Sequence, residues 1–355
     1  MDFSASPQTL EVLARKRRYL VTGAAGFIGS NILEALLDTD NEVVGLDDLS
    51  SGRRENLEQV QRSAGPAWRK FKFIEGDIRN LDVCHAACKN VDVVLHLAAR
   101  GSVPSSIGAP LISNEVNVGG SLNMMVAARD AGVERFVFSS SCSVYGDQPD
   151  EVKVESKVGR QLSPYAVSKY AVELYARNFA DVYNLHTVIL RYFNVFGPRQ
   201  LLSGPDAAVI PIWIASMIQN KPCLINGSGT TSRDFCYVDD VVQANVLASS
   251  PETAGAKGEA FNVCMGQSTS LTALFDILRS KLAPHFPHLE NYAPEYGEGR
   301  TGDITHSRGS LEKAAALLGF QPSHSLEQGL DKALPWFIES LSEKRSLPLD
   351  RVPIT

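Results

Sequence analysis

Tyr19-Leu20-Val21-Thr22-Gly23-Ala24-Ala25-Gly26-Phe27-Ile28-Gly29 is a short apolar run that breaks into a G-x-x-G-x-x-G spacing and resumes as apolar residues. The run reads as a strand, the glycines as a tight turn, and Phe27 onward as the opening of a helix. Without side chains in the way, backbone N–H groups and a helix N-terminus can approach a pyrophosphate. Asp47 stands at the end of the next apolar run, Glu42 to Leu46. A carboxylate there accepts from adenosine ribose hydroxyls and repels a ribose phosphate, so NAD is expected over NADP. Arg53 and Arg54 are the residues that would favour the phosphorylated form, and a purely structural turn is the competing reading.

Further short apolar runs follow, at Phe71 to Ile74, Val91 to Leu97, Phe136 to Phe138 and Thr187 to Arg191. Several lack polar alternation, as expected for parallel strands covered on both faces. Helix-like stretches lie between the runs, among them Asn31 to Leu37, Leu122 to Ala131 and Pro164 to Tyr183. This alternation predicts an α/β chain, a Rossmann-like doubly wound parallel sheet with right-handed crossovers. Past residue 195 prolines and glycines break the pattern, apart from a helix and strand at Asp239 to Ala248 and Phe261 to Val263. The expected division is an N-terminal extension over 1–18, a dinucleotide-binding domain over 19–194 with 236–264, and a loop-rich substrate domain over 195–235 with 265–355.

With 34 Lys+Arg against 40 Asp+Glu in 355 residues, the formal charge is −6. No basic excess of the kind a nucleic-acid binder carries is present. No apolar run is long enough to span a membrane, and no secretory leader is expected after Met1-Asp2. Six cysteines occur without a Cys-x-x-Cys pair. Cys84 and Cys88 share one helical face and read as small buried residues rather than metal ligands, so no metal is expected. Scattered thiols point to a reducing compartment, the cytoplasm. Arg15 to Arg18 reads as the solvated flank of a strand rather than a targeting signal.

A second constellation carries the chemistry. Ser139-Ser140-Ser141-Cys142-Ser143-Val144-Tyr145-Gly146 follows a strand, and Ser163-Pro164-Tyr165-Ala166-Val167-Ser168-Lys169 opens a helix with Ser163 as N-cap. Tyr165 and Lys169 fall one turn apart on one face. A phenol is a poor base at neutral pH. An adjacent ammonium and the helix N-terminus are expected to favour the phenolate, with Ser141 relaying the substrate proton to Tyr165. Taken alone, such a Tyr–Lys pair is ordinary surface amphipathicity.

Together, Thr22-Gly23-x-x-Gly26-x-x-Gly29, the Ser141 strand end and Tyr165-x-x-x-Lys169 resemble an extended short-chain dehydrogenase/reductase over nearly the whole chain. Arg191 to Gly197, Ala207 to Pro211 and Thr231 to Tyr237 are most similar to the UDP-N-acetylglucosamine 4-epimerase family. The resemblance implies a cofactor groove formed by Gly23, Gly26, Phe27, Ile28, Gly29, Asp47, Asp48, Ser51, Gly52, Asp77, Ile78, Leu97, Ala98, Ala99, Asn117, Tyr165, Lys169 and Tyr192, with Asp77 and Ile78 on adenine. It implies catalysis by Ser141, Tyr165 and Lys169. It places the UDP-sugar on Ser102, Ser141, Ser143, Asn194, Val209, Arg233, Arg300, Asp303 and Ser307, the arginines on the diphosphate. It also implies a homodimer through a four-helix bundle, built on the helices at Gly119–Ala131 and Pro164–Tyr183. Bottom-up, a planar guanidinium suits a diphosphate, whereas a lone loop arginine is otherwise a solvated residue.

The scaffold hosts several chemistries, so the site must decide. Related sugar-nucleotide dehydratases carry an Asp-Glu pair where this chain has Cys142 and Ser143, and related uronate decarboxylases keep a Glu at the Ser143 place. What remains is redox-neutral inversion at carbon 4, in which Tyr165 removes the 4-hydroxyl proton and NAD borrows the hydride. Arg100 raises the alternative of a uronate substrate, UDP-glucuronate or a UDP-N-acetylhexosaminuronate. An NAD-binding sensor without turnover is the non-enzymatic alternative. Ser307 resembles a gatekeeper whose small side chain leaves room for a 2-acetamido group. A Ser307→Tyr variant is therefore expected to lose turnover of the N-acetylated substrate while keeping UDP-glucose turnover; unchanged relative rates in coupled assays would refute this.

Overall fold

The computed structural model describes residues 6–204, 206–298 and 306–346. Seven parallel strands form the central sheet: β1 (Arg18–Thr22), β2 (Glu42–Asp47), β3 (Phe71–Glu75), β4 (Val93–His96), β5 (Arg135–Ser141), β6 (Thr187–Tyr192) and β7 (Ala260–Val263). They are arranged in the order β7-β6-β5-β4-β1-β2-β3, every neighbouring pair parallel. The order reverses between β1 and β4, and a doubly wound sheet opens a crevice at such a point. The Gly23 amide donates to the Leu46 carbonyl at 2.7 Å, stitching the glycine turn to β2.

The strand interiors are buried on both faces because helices cover both. One face packs the helices Phe27–Leu37 and Val238–Ala248, with Tyr19, Val21, Ile32, Leu36 and Phe261 at its centre. The other packs Leu81–Cys88, Ser121–Asp130 and Pro164–Val182 on Leu20, Val94, Phe136 and Ile189. Cys84 and Cys88 sit within that layer, and burial pushes both thiols up to about 12. Among the described residues no His, Cys, Asp or Glu cluster could hold a metal ion, and no helix is long and apolar enough to cross a membrane.

A separate apolar core gathers Phe196, Trp213, Ile214, Phe235, Phe275, Leu330 and Phe337 from the helices Val209–Ile218, Leu271–Leu282 and Leu326–Ser346 and the short strands near them. Ala314, Leu318 and Phe320 pack instead with the core of the central sheet. The helix Pro7–Leu13 buries Val12 and Leu13 and packs on Val238–Ala248.

One buried polar chain fixes the ends of β1 and β4. Thr22 Oγ1 accepts from the amides of Leu97 and Ala98, each at 3.1 Å, so its own hydrogen goes to His96 Nδ1 at 2.7 Å. That assigns the His96 proton to Nε2, which donates to Ser121 Oγ at 2.9 Å. Burial drives the imidazole down to about 3 and keeps it neutral.

Candidate active site

The crevice between β1 and β4 is a cavity of about 380 Å³. Gly23, Gly26, Phe27, Ile28, Gly29, Asp47, Asp48, Ser51, Gly52, Ile78, Leu97, Ala98, Ala99, Ser102, Tyr165, Lys169 and Tyr192 all line it. The local folding explains the turn. Gly23 has φ +70°, and a Cβ there would stand 3.0 Å from the Ala98 amide nitrogen; at Gly29 it would stand 2.0 Å from the Gly23 carbonyl oxygen. Gly26 caps the helix Phe27–Leu37 and has no side chain to satisfy its first amides. Those N–H groups are left for an anion.

Asp47 ends β2, buried. Its Oδ2 accepts from the Ala25 amide at 2.9 Å and its Oδ1 from the Leu49 amide at 2.8 Å, and burial raises its pKa. Lone pairs remain on both oxygens for a ribose diol. Arg54 is paired with Glu75, the register neighbour of Asp47 on β3, while Arg53 lines the cavity. The donor set and the glycine cradle therefore fit a dinucleotide without a ribose phosphate.

The catalytic candidates meet at the end of β5. The helix Pro164–Val182 is capped by Ser163, whose Oγ accepts from the Ala166 amide at 3.2 Å, and Ser106 Oγ accepts from the Tyr165 amide at 3.1 Å. The Ser141 side chain lies near enough to Tyr165 to favour its ionised form, and Ser141 Oγ accepts from the Ser143 amide at 3.1 Å. Lys169 Nζ donates to the Ser139 carbonyl at 2.7 Å and lies 6.0 Å from the Tyr165 ring centroid and 5.0 Å from that of Phe138. The expected phenolate is not what this geometry favours. Burial pushes the Tyr165 phenol up to about 12, only partly opposed by Ser141, and pulls Lys169 down to about 7. With its value near 7, Lys169 is charged for only part of the time at neutral pH, which weakens the support it gives a phenolate.

A second cavity of about 800 Å³ adjoins the first, and Gly101, Ser102, Gln200, Asp206 and Ala208 line both. Asn194 and Val209 line the second. Gln200 was not singled out by sequence reasoning. It is buried, its Nε2 donates to the Val195 carbonyl at 3.1 Å, and its Oε1 has no hydrogen-bond partner. Ser143 Oγ, beside the catalytic strand end, is likewise buried without a partner. Such orphaned oxygens point to donors supplied by a ligand. Asp206, also unanticipated, accepts a hydrogen bond from Ser105 Oγ.

Other expected residues fall elsewhere. Asp77 is off the cavity wall, its carboxylate held low by the side-chain hydrogen bond from Arg79 at 2.8 Å. Asn117 lies behind the wall in a π-helical turn, Glu115–Gly120. Its Oδ1 accepts from the Arg100 amide at 2.7 Å and its Nδ2 donates to Ser168 Oγ at 2.9 Å, tying the loop after β4 to the catalytic helix. Arg233 lines neither cavity and donates to the Ser232 carbonyl at 2.9 Å. Ser307 is buried beside it, its amide on the Ser232 carbonyl at 3.3 Å. Arg300 and Asp303 lie outside the described residues. Arg100 was expected near the sugar, but it lines the cofactor-side cavity and donates to the Ser50 carbonyl at 3.4 Å. The backbone bond from Arg100 to Asn117 sets it on that side.

Residues 19–264 match the family model described as the NAD dependent epimerase/dehydratase family. A UDP-glucose 4-epimerase of Mycolicibacterium smegmatis is 39% identical over 323 residues, 90% of this chain and 98% of that protein. The structure is similar to a UDP-N-acetylglucosamine 4-epimerase of Methanobrevibacter ruminantium in complex with UDP-N-acetylmuramic acid, with TM-score 0.83, 36% identity and coverage of 92% and 99% of the two chains. A UDP-glucose 4-epimerase of Thermotoga maritima with UDP-glucose gives TM-score 0.82 at 34% identity, covering 91% and 99%.

The depressed Lys169 pKa has a consequence for stability. The folded, cofactor-free protein binds fewer protons than the unfolded chain between about pH 7 and pH 10.5, so its unfolding free energy rises with pH across that window. Lys169→Met is expected to flatten that rise and to stabilise the cofactor-free protein at pH 7 by a few kcal/mol, to order of magnitude, while removing activity. Denaturant unfolding at pH 7, 8.5 and 10 measures it; an unchanged slope would contradict the assignment.

Proposed function

The chain belongs to the NAD dependent epimerase/dehydratase family, and from that premise we propose that it interconverts UDP-N-acetylglucosamine and UDP-N-acetylgalactosamine by inversion at carbon 4, with UDP-glucose and UDP-galactose as further substrates. NAD is its cofactor, and when bound it supplies reversible hydride acceptance. The turn Gly23–Gly29 and the amides of the helix Phe27–Leu37 would hold the pyrophosphate, and Asp47 the adenosine ribose.

The observation that carries the substrate reading is Gln200, which lines both cavities and whose buried side-chain oxygen has no partner. A buried carbonyl there wants a donor, and a 2-acetamido N–H or a sugar hydroxyl provides one. Ser307, small and buried, supports the larger of those substituents. Tyr165 in its phenolate form accepts the proton of the 4-hydroxyl through Ser141, and Lys169 in its ammonium form offsets the phenolate charge before that transfer. The same pair returns the proton afterwards, and the 800 Å³ cavity gives the tethered ring room to turn. The uronate reading rested on Arg100, which lies on the other side. The described lining of the second cavity carries the Asp206 carboxylate and no cation, which disfavours an anionic sugar.

We propose further that the chain works as a homodimer in a reducing cytoplasm. Ile107, Leu111 and Val182 are 64%, 77% and 63% exposed, and with Ile112, Val167, Leu174 and Tyr175 they lie on the helix Pro164–Val182 and the two short helices before Asn117. Apolar exposure of this extent on neighbouring helices marks an association face.

Two measurements test these readings. Incubating the protein with UDP-N-acetylglucosamine is expected to produce the galacto isomer's anomeric proton signal, and Tyr165→Phe to lower the rate by about a thousandfold or more while UDP-sugar binding survives. Conversion of uronates alone, silence from the wild type, or near-normal turnover in the variant would each refute the assignment. Light scattering is expected to give twice the chain mass, and Leu174→Glu with Val182→Glu to give monomers; a monomeric wild type would exclude the dimer.

A further inference from the structure

Arg199 is set apart by three observations. It is almost wholly buried in a loop, and it holds φ +67°, a left-handed conformation that a side chain other than glycine seldom adopts. Its guanidinium is spent on one helix: Nε donates to Ser30 Oγ at 3.0 Å, and Nη2 to Asn31 Oδ1 and Glu34 Oε2, each at 2.7 Å. Asn31 in turn donates from Nδ2 to the Pro198 carbonyl at 3.1 Å. That helix is Phe27–Leu37, which begins at the glycine turn of the cofactor cleft. The next residue after Arg199 is Gln200, which lines both cavities and whose side-chain oxygen is buried without a partner, and Arg199 itself lines the cofactor-side cavity.

We propose that Arg199 is a positioning residue for the nucleotide-sugar: by locking chain 197–200 onto the cofactor helix it holds Gln200 in place where the two cavities meet. The inference rests on the functional reading above. A fork with two occupied edges fixes direction as well as distance, which a lysine at the same place would not. Glu34, itself buried, balances the guanidinium charge and also accepts from Ser63, so the anchor is neutral as a whole and survives burial. The left-handed backbone at Arg199 makes the arrangement all-or-none, since releasing the anchor lets the loop relax to an ordinary conformation and carry Gln200 with it.

The test uses Tyr165→Phe as parent, which binds without turnover, and calorimetric titration with UDP-N-acetylglucosamine. Arg199→Met is expected to weaken binding about tenfold, as is Gln200→Ala. The double variant is expected to bind within about twofold of Gln200→Ala alone, because Arg199 acts through the glutamine. Arg199→Lys is not expected to restore affinity, and bound NAD, released by denaturation and read by absorbance, is expected to stay at the parent level. Should Arg199→Met fail to fold, Arg199→Met with Glu34→Gln removes both charges and carries the same comparison. Unchanged affinity, additive losses in the double variant, or rescue by lysine would overturn the inference alone. A parent that binds no UDP-sugar would overturn the functional reading and this inference with it.

Discussion

The site depends on the joint between one helix and one strand end. Tyr165, Lys169 and Glu173 follow one another at single-turn intervals along the helix Pro164–Val182, facing the serines of β5. Lys169 donates to the Ser139 carbonyl, Glu173 accepts from Ser140 Oγ at 2.6 Å, and Tyr165 comes near the Ser141 side chain. Arg191 of β6 then closes on Glu173 with two bonds, 2.9 Å from Nε and 2.7 Å from Nη2, and neither side chain has solvent access. Arg191 Nη1 also donates to the Glu155 carbonyl at 3.1 Å, and Glu155 accepts from the Asn262 amide at 2.8 Å, so β5, β6 and β7 share one polar spine. Removing one partner of such a buried pair costs about 3–5 kcal/mol. The helix therefore cannot slide by a turn without leaving charge uncompensated, and the distance between Tyr165 and Ser141 is set by that penalty.

Dryness is the second constraint. Burial opposes the charged forms of His96, Lys169 and Tyr165, and the nearby Lys169 adds to the effect on His96. They lie close together, His96 stacked with Phe138 at 6.1 Å and Lys169 over the same ring. Within that environment a transferred proton is felt strongly, because little solvent is present to screen it. Lys169 is poised near neutrality at a cost to stability, which fits the general exchange of stability for function at catalytic positions.

Much of this was legible in the sequence. The G-x-x-G-x-x-G turn after an apolar run, Asp47 at the end of the next run, and the Ser163-Pro164 helix start all act through local rules, and the structure places them together. What depends on pairing across the fold was not legible. Nothing near Gln200 in the chain shows that its oxygen lacks a partner, and nothing near Glu173 shows that Arg191 will face it. Asn117 was expected on the groove, yet a π-helical turn sets it behind the wall, where it ties Arg100 to Ser168. Sequence spacing reveals that a lysine is near Tyr165, but not that burial opposes the charged form of both groups.

The arrangement also constrains what kind of inversion the site can perform. Tyr165, Lys169 and the end of β5 stand on one side, against the cofactor cleft, and the ionisable group in the described lining of the second cavity is the Asp206 carboxylate, which hydrogen bonds from Ser102 and Ser105 hold low and so make a poor proton carrier. An enzyme that approached carbon 4 from two faces with two separate proton carriers would need a capable one there. With a single carrier, both halves of the reaction must use the same phenol, and the ring must present each of its faces in turn. Room to turn and a fixed tether then matter more than tight contact with the sugar. An apolar wall from Val195, Phe196, Val209 and Ile210 with few polar contacts suits that requirement, since many directed hydrogen bonds would hold the ring in one orientation and oppose the turn.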